Sequence, residues 1–159
     1  MYRIYENNDK LKILLPDSVY GEICKSIAHF FPNECGGIFV GKIDTNKGEA
    51  VVDLMRMPNR FNSSPVLFQR FAGFLNRWLR KIFKESNGDR IYLGEWHSHP
   101  NGVPYPSQTD YLTMQKIAVN DNVRIQTPIL MIVGYNGLTF KEQFFIYSQQ
   151  DLIHYVKQN

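Results

Sequence analysis

The sequence has few cysteines, no long apolar run and no excess of charge of one sign. Its 159 residues include only Cys24 and Cys35 and no CxxC pair, which argues against a disulfide framework. No run approaches 18 apolar residues, so no transmembrane helix is expected. Lys and Arg number 18 against 15 Asp and Glu, and a net charge of +3 gives little reason to expect a nucleic-acid partner.

Repeats, low-complexity tracts and long linkers are also absent from the sequence. The first ten residues have no apolar region after a basic start, so they do not predict a signal peptide. Hydrophobic residues make up 43% and charged residues 21%, which is ordinary globular composition. We therefore expect a single domain over residues 1–159, located in the cytoplasm with reduced thiols and with no membrane partner.

Hydrophobic periodicity predicts strands and helices that alternate along the chain. The predicted strands cover residues 11–15, 38–43, 50–57, 91–96, 129–135 and 138–147. The predicted helices cover residues 17–31, 66–84 and 107–119, with a short fourth helix over 151–157. The Asn136-Gly137 pair predicts a hairpin between the last two strands. The expected fold class is α/β (mixed α+β), with helices packed on a mixed sheet.

One stretch concentrates residues that bind metals: GEWHSHP at residues 94–100, followed by Ser107-x-x-Asp110. His97 and His99 are two apart in an extended segment, so both side chains point to the same face, and the proline that follows keeps His99 extended. Ser107 is the expected N-cap of the next helix, with Asp110 in its first turn. Two imidazoles and a carboxylate leave a fourth position for water, which is the arrangement of catalytic zinc.

Each half of this pattern also has an ordinary structural explanation. Ser107-x-x-Asp110 alone is a common capping box, and two histidines can simply be satisfied by hydrogen bonds near a core. The joint pattern of His-x-His-Pro, six residues and Ser-x-x-Asp fixes five positions, which average residue usage would produce in about one chain in 10⁵. The combination therefore favours a metal site.

Hydrolysis at such a site needs a general base, and the residues offer two candidates. Glu34 follows the helix-breaking Pro32 and precedes two glycines at the mouth of a strand. Glu95 is closer in sequence to His97 and His99 and shares their face, so it could be the base, a ligand or a support for a ligand. The residues alone leave both assignments open.

With Glu34 included, the constellation resembles the signature of the JAB/MPN (JAMM) zinc metallopeptidases. That signature is an upstream Glu, then His-x-His-Pro, six residues and Ser-x-x-Asp, and it is met without a substitution. The resemblance extends over about residues 11–147. It implies a curved mixed β-sheet flanked by helices, the cytidine-deaminase-like JAB fold.

The resemblance also implies a role for each residue of the signature. His97, His99 and Asp110 would be the Zn²⁺ ligands. Glu34 would act as the base toward water and then as the acid toward the leaving amine, and Ser107 would donate a hydrogen bond to the developing oxyanion.

The GEWHSHP context is similar to the JAB peptidases of bacterial anti-phage (CBASS) and related ubiquitin-like conjugation operons. It implies an isopeptidase or peptidase that cuts after the C-terminal glycine of a ubiquitin-like domain, or of a protein conjugated in a ubiquitin-like manner. The extended tail of such a substrate would bind as an added strand between residues 59–65 and 100–106, where Tyr105 could line the channel. Trp96 and Cys35 are expected in the core.

Other functions are consistent with parts of the pattern. Maturation of a sulfur-carrier or ubiquitin-like protein would use the same chemistry. A non-catalytic MPN scaffold would lack ligands, and none is missing here. RadC-like, nucleic-acid-associated proteins carry a similar His-x-His-Pro segment, but the sequence shows no helix-hairpin-helix-like region. Five cations on the predicted 66–84 helix fit a solvated face, or a docking face for a partner protein.

Overall fold

The computed structural model describes residues 1–8, 11–123 and 125–158, and these residues form three helices and ten strands. The strands are β1 (Tyr2–Glu6), β2 (Lys12–Pro16), β3 (Gly36–Asp44), β4 (Glu49–Arg56), β5 (Phe61–Ser64), β6 (Leu67–Arg70), β7 (Ile91–Pro100), β8 (Ile129–Tyr135), β9 (Phe140–Ser148) and β10 (Asp151–Lys157). The helices are α1 (Asp17–Phe30), α2 (Ala72–Glu85) and α3 (Gln108–Ala118). The predicted mixed α/β class, with helices packed on a large sheet, is confirmed.

Eight strands form one sheet in the order β1-β10-β9-β8-β7-β3-β4-β2, and β1 also pairs with β2, so the order closes on itself. Strands β5 and β6 form a separate hairpin. The pairs β7–β8 and β2–β4 are parallel, whereas the other pairs are antiparallel. The sequence predicts a curved mixed sheet but not this closure, which depends on pairing between the two ends of the chain.

Helices pack against both faces of the sheet. The buried side chains of α1 join the largest core cluster, which also holds Phe39, Trp96 and Met131. On the opposite face, Met114 of α3 packs on strands β8 and β9, and Leu75 of α2 packs on β3. No helix among the described residues combines the length and the apolar content needed to cross a membrane.

The prediction of a helix over residues 66–84 is wrong for its first part. Leu67–Arg70 is strand β6, and α2 begins only at Ala72. Phe68 lies within the predicted helix, but in the structure it packs against Phe61 across the hairpin at a ring-centroid distance of 5.3 Å. The side chains of one strand can mimic helical spacing when the helix follows directly, and cross-strand packing decides between the two.

The prediction of a short helix over residues 151–157 is also wrong. This segment is β10, which pairs antiparallel with β9 and joins β1 at Tyr5 and Glu6. Gln149 and Gln150, both with positive φ, make the tight turn between β9 and β10. Strand β1, which pairs with β2 as well as with β10, was likewise not predicted.

A β-bulge in β7 sets which of its side chains face outward. The register against β3 slips between Gly94 and Tyr92, which leaves Leu93 as the extra residue. Gly94 has a φ of 155°, and a Cβ there would lie 1.9 Å from the carbonyl oxygen of Ile129 on β8, so only glycine fits. Leu93 and Trp96 both face the inner core, so the strict alternation of the strand is broken between them.

Glu142 on β9 joins four elements where the sheet closes. Its Oε1 accepts hydrogen bonds from Tyr5 (3.0 Å), Arg3 (3.1 Å) and Lys157 (3.2 Å), and its Oε2 accepts one from Tyr20 of α1 (2.9 Å). Burial raises the pKa of this carboxyl, but the hydrogen bonds from the tyrosines and the charge of Lys157 outweigh burial and lower it. The carboxylate therefore stabilises the closed sheet only while it is ionised.

Replacing Glu142 with Gln should lower the free energy of unfolding at pH 7 by about 1–3 kcal/mol, because charge-assisted hydrogen bonds are lost. Since the pKa is lowered in the folded state, the contribution is present above the ordinary value of 4.5 and disappears as the pH falls through the folded pKa. Urea titrations at successively lower pH should show the difference between the two proteins shrinking below pH 4.5. The exposed Glu22→Gln variant is the control, and a difference that does not shrink below that pH would contradict this account.

Candidate metal centre and cleft

Strand β7 carries His97 and His99 on its outward face. Beyond the bulge, Trp96 packs in the inner core and Ser98 is fully buried, so the residues between and beyond them face outward. The prediction that Trp96 lies in the core is confirmed. Gly36 pairs with His97, and a Cβ on it would lie 2.5 Å from the Trp96 carbonyl oxygen, so glycine permits this close approach of β3.

Three potential ligand atoms converge just outside β7. His97 Nε2 lies 3.1 Å from His99 Nε2 and 3.2 Å from Asp110 Oδ1, and His99 Nε2 lies 3.8 Å from Asp110 Oδ2. Ligand atoms about 2.0–2.2 Å from a tetrahedral zinc ion would be roughly 3.3–3.5 Å apart. The spacing of these three side chains therefore fits a single metal ion of that size.

The orientation of His99 also suits a metal ligand. Its Nδ1 lies 3.0 Å from the carbonyl oxygen of Val103, and because a carbonyl can only accept, Nδ1 carries the proton. The Nε2 atom is then left with its lone pair directed toward His97 and Asp110. Burial and the neighbouring His97 lower the pKa of His99, which also favours the neutral imidazole that a metal requires.

Asp110 is held by the start of α3. Ser107 is the N-cap, and its Oγ accepts from the Asp110 N–H at 3.2 Å. In return, Oδ2 of Asp110 accepts from the backbone N–H and the hydroxyl of Ser107, each at 2.7 Å, while Oδ1 faces His97. Burial raises the pKa of Asp110, but the hydrogen bond and charge of His97, together with the hydrogen bonds from Ser107, outweigh burial and keep the pKa well below its ordinary value.

Backbone hydrogen bonds from two directions fix Glu34 beside this cluster. Its N–H donates to the Ser64 carbonyl at 2.8 Å, and its carbonyl accepts from the Ser63 hydroxyl at 2.6 Å, so two hydrogen bonds hold it to the β5–β6 hairpin on one side. On the other side, the next residue, Cys35, is bonded to Ser98 of β7 through both its N–H (3.0 Å) and its carbonyl (2.8 Å).

The electrostatic environment of Glu34 differs from that of Asp110. Burial raises the pKa of Glu34; the nearby His97 opposes this shift and Asp110 adds to it. A raised pKa suits a carboxylate that must take up and return a proton near neutral pH. Cys35 is buried, as expected from the sequence, and burial raises its pKa to about 11, which leaves it an unreactive thiol.

Glu95 has different partners. Its Oε1 accepts from Arg70 Nη2 at 2.6 Å and from the Tyr92 hydroxyl at 2.5 Å, and its side chain is only 11% exposed. Burial raises the pKa of Glu95, while the charge of Arg70 and the hydrogen bond from Tyr92 oppose that shift. The pKa is therefore raised for both carboxylates, and they differ in their contacts: Glu95 is held by Arg70 and Tyr92, whereas among the described residues no side chain donates a hydrogen bond to the Glu34 carboxylate.

A cleft of about 690 Å³ runs across the outward face of β7 and is lined by all six residues of the sequence signature, Glu34, His97, His99, Pro100, Ser107 and Asp110. One wall is the β5–β6 hairpin from Pro65 to Arg70, and the other is formed by α3 and the loop with Val103 and Tyr105. The 100–106 loop borders the cleft as expected from the sequence, whereas of the expected segment 59–65 only Pro65 lines it and residues 66–70 form the rest of that wall. The position of Tyr105 in its wall agrees with the expected channel residue.

This architecture is that of a known protein family. The family described as prokaryotic homologs of the JAB domain matches residues 16–147, which is most of the chain. The chain belongs to this family. The solution structure of a protein from Desulfitobacterium hafniense shares the fold, with a TM-score of 0.65 at 18% identity over 86% of this chain and 85% of that one.

Two curated relatives of this prokaryotic JAB chain are both named CD-NTase/cGAS isopeptidase. The protein from Enterobacter hormaechei subsp. hoffmannii is 33% identical over 103 residues, covering 64% of this chain and 56% of that protein. The protein from Escherichia coli is 30% identical over 112 residues, covering 67% of this chain and 65% of that protein. The chain thus spans between about half and two thirds of the length of these relatives.

Several residues at this JAB site have partners that sequence reasoning did not identify. The sequence predicts a helix at Arg70 and no strand at Ser63 and Ser64, and Ser98 is only the variable residue between two histidines. The alternation around Ser98 signals its inward position, but nothing local signals that it bonds Cys35. The contacts of Arg70 and Ser63 join segments 25 and 29 residues apart, which periodicity does not detect.

Removing one of the three converging side chains should abolish tight binding of a divalent cation. Changes to residues that only orient a ligand cost about 10–100-fold in metal affinity, so His99→Ala and Asp110→Ala should each cost more than about 100-fold. Calorimetric titration with Zn²⁺ measures this directly, with the exposed His29→Ala as the control. Undiminished Zn²⁺ affinity in Asp110→Ala would exclude this centre as the binding site.

Proposed function

We propose that this chain is a zinc-dependent isopeptidase or peptidase that cuts after the C-terminal glycine of a ubiquitin-like domain, or of a protein conjugated in a ubiquitin-like manner. The observation that carries the proposal is the convergence of His97, His99 and Asp110 in a cleft that also holds Glu34. The names of the curated relatives support the isopeptidase class and suggest a CD-NTase as the conjugated protein. A role in anti-phage defence is proposed from the resemblance of the GEWHSHP segment.

In this proposal the three converging side chains hold the metal and Glu34 moves the proton. When bound, Zn²⁺ would lower the pKa of water and polarise the scissile carbonyl. Glu34 takes a proton from the attacking water, whose oxygen adds to the carbonyl carbon. As the C–N bond breaks, Glu34 gives that proton to the leaving amine nitrogen, and its raised pKa suits both transfers.

The second part of the proposal concerns Ser107, which would donate to the developing oxyanion. In the resting structure its hydroxyl donates to Asp110 Oδ2 at 2.7 Å, so this role requires the hydroxyl to turn away from Asp110. The Ser107 N–H makes a second bond to the same oxygen, also at 2.7 Å, and would keep Asp110 in place during that rotation.

The shape of the cleft suits an extended peptide tail. Among the described residues β6 pairs only with β5, so its other edge is open, and residues 65–70 line the cleft. An extended tail can add to such an edge as a third strand, with main-chain hydrogen bonds providing affinity. On the opposite wall, Val103 and Tyr105 are 68% and 57% exposed, which leaves apolar surface for the same tail.

Replacing Glu34 with Gln should retain Zn²⁺ binding and abolish turnover, because the amide cannot accept the proton. Expressed in the source cell, Glu34→Gln should therefore hold its uncut substrate, and mass spectrometry of the captured protein should show a C-terminal glycine joined to a lysine. Glu22→Gln, an exposed change on α1, is the matched control and should capture nothing.

Two outcomes of this capture would change the assignment. Recovery of only an unconjugated small carrier with a C-terminal extension would favour maturation of that carrier over deconjugation. Recovery of nucleic acid without any conjugate would exclude both peptidase functions.

Ser107→Ala separates the oxyanion role from helix capping. Loss of an oxyanion donor should lower kcat by roughly 10²–10³-fold, whereas loss of the cap costs about 0.5–2 kcal/mol of stability. Steady-state kinetics on the captured conjugate, together with thermal unfolding, distinguish the two effects. A rise in KM alone, with kcat unchanged, would assign Ser107 to capping and substrate positioning.

A further inference from the structure

Arg70 lies in the cleft with most of its hydrogen-bonding capacity unused. It is the last residue of β6, and its Nη2 donates to Glu95 Oε1, which the Tyr92 hydroxyl also contacts. A guanidinium carries five N–H donors. Among the described residues, the Glu95 bond is the only hydrogen bond that the Arg70 side chain makes, and the side chain is 26% exposed.

The charge of Arg70 is balanced where it lies. Glu95 compensates the guanidinium, and burial together with the Tyr92 hydroxyl holds that carboxylate in one position. The pair therefore offers oriented N–H donors to the cleft without a net positive charge. Donors of this kind suit a neutral acceptor such as a main-chain carbonyl better than a free carboxylate.

The spacing of Glu95 and His97 gives the position of that carbonyl along a bound tail. The two residues are separated by one residue on the same face of β7, which corresponds to about 6.6 Å along a strand. A tail that lies along β7 in extended conformation would cover this distance in two residues. The acceptor would thus be the carbonyl two residues before the scissile one.

We propose that Arg70 is a substrate-binding residue that contacts this main-chain carbonyl of the acyl tail, with Glu95 and Tyr92 as the residues that position it. The inference rests on the proposed function, because it needs a tail in the cleft. The contact lies on the acyl side, since a leaving lysine has only a four-carbon aliphatic stem near the scissile bond and no carbonyl within that distance.

The test uses a synthetic probe, acetyl-tetraglycine joined through its carboxyl to the ε-amine of lysine. Binding to the Zn²⁺-loaded Glu34→Gln protein is followed by NMR shifts as the probe is titrated. In this background Arg70→Gln should weaken the probe about 10- to 100-fold, the usual effect of losing a hydrogen bond to a charged donor. Arg70→Lys should keep the ion pair with Glu95 but still weaken the probe, because the planar fork is lost.

A second probe separates contact with substrate from support of the hairpin. In it an alkene replaces the amide that contains the carbonyl two residues before the scissile one. If Arg70 binds that carbonyl, Arg70→Gln should have almost no further effect on this probe. The exposed Arg77→Gln variant on α2 is the matched control and should bind both probes as the parent protein does.

Three results would overturn the inference. If Arg70→Gln weakened the binding of both probes equally, Arg70 would only support the hairpin. If it weakened the binding of neither probe, Arg70 would not contact the tail. Failure of the parent protein to bind the tetraglycine probe would exclude a main-chain tail contact. The proposed function is judged separately, because the Glu34→Gln capture from cells requires no role for Arg70.

Discussion

The geometry of the site depends on one backbone constraint, the bulge at Leu93 and Gly94. With regular alternation from Leu93, the histidines would point into the core and Trp96 outward. The extra residue reverses the phase, so His97 and His99 reach the cleft while Trp96 remains 1% exposed inside. Only glycine fits at position 94 against the Ile129 carbonyl, so this single residue links the packing of β7 on β8 to the direction of both histidines.

Once β7 is in place, hydrogen bonds from Ser98 and from the β5–β6 hairpin position the rest of the site on it. Ser98 points inward between the histidines and makes hydrogen bonds to the backbone of Cys35. These bonds fix the position of the preceding residue, Glu34. The β5–β6 hairpin bonds the backbone of Glu34 through Ser63 and bonds Glu95 through Arg70. The hairpin thus touches both the proposed base and the strand of the proposed ligands, and displacing it would disturb both.

How much could be predicted from the sequence follows from the range of each interaction. His97 and His99 are two residues apart, and Ser107 caps the helix that carries Asp110, so this part of the site is encoded locally and its convergence was expected. The position of Glu34 could be chosen over Glu95 only through resemblance to a family, because its contacts cross the hairpin and β7. The residues alone favour Glu34 only slightly, and the pairing of Glu95 with Arg70 is visible only in the structure.

The errors at β6 and β10 have the same physical origin. Both segments are short and apolar enough to suit a helix, and both become strands because a partner supplies the missing backbone hydrogen bonds. Local secondary-structure propensity contains no information about that partner. The error at β6 matters for function. A helix over residues 66–70 would leave the cleft without an open strand edge and would not predict the contact between Arg70 and Glu95. The cleft wall most relevant to substrate choice is therefore the part of the site that local sequence patterns describe least well.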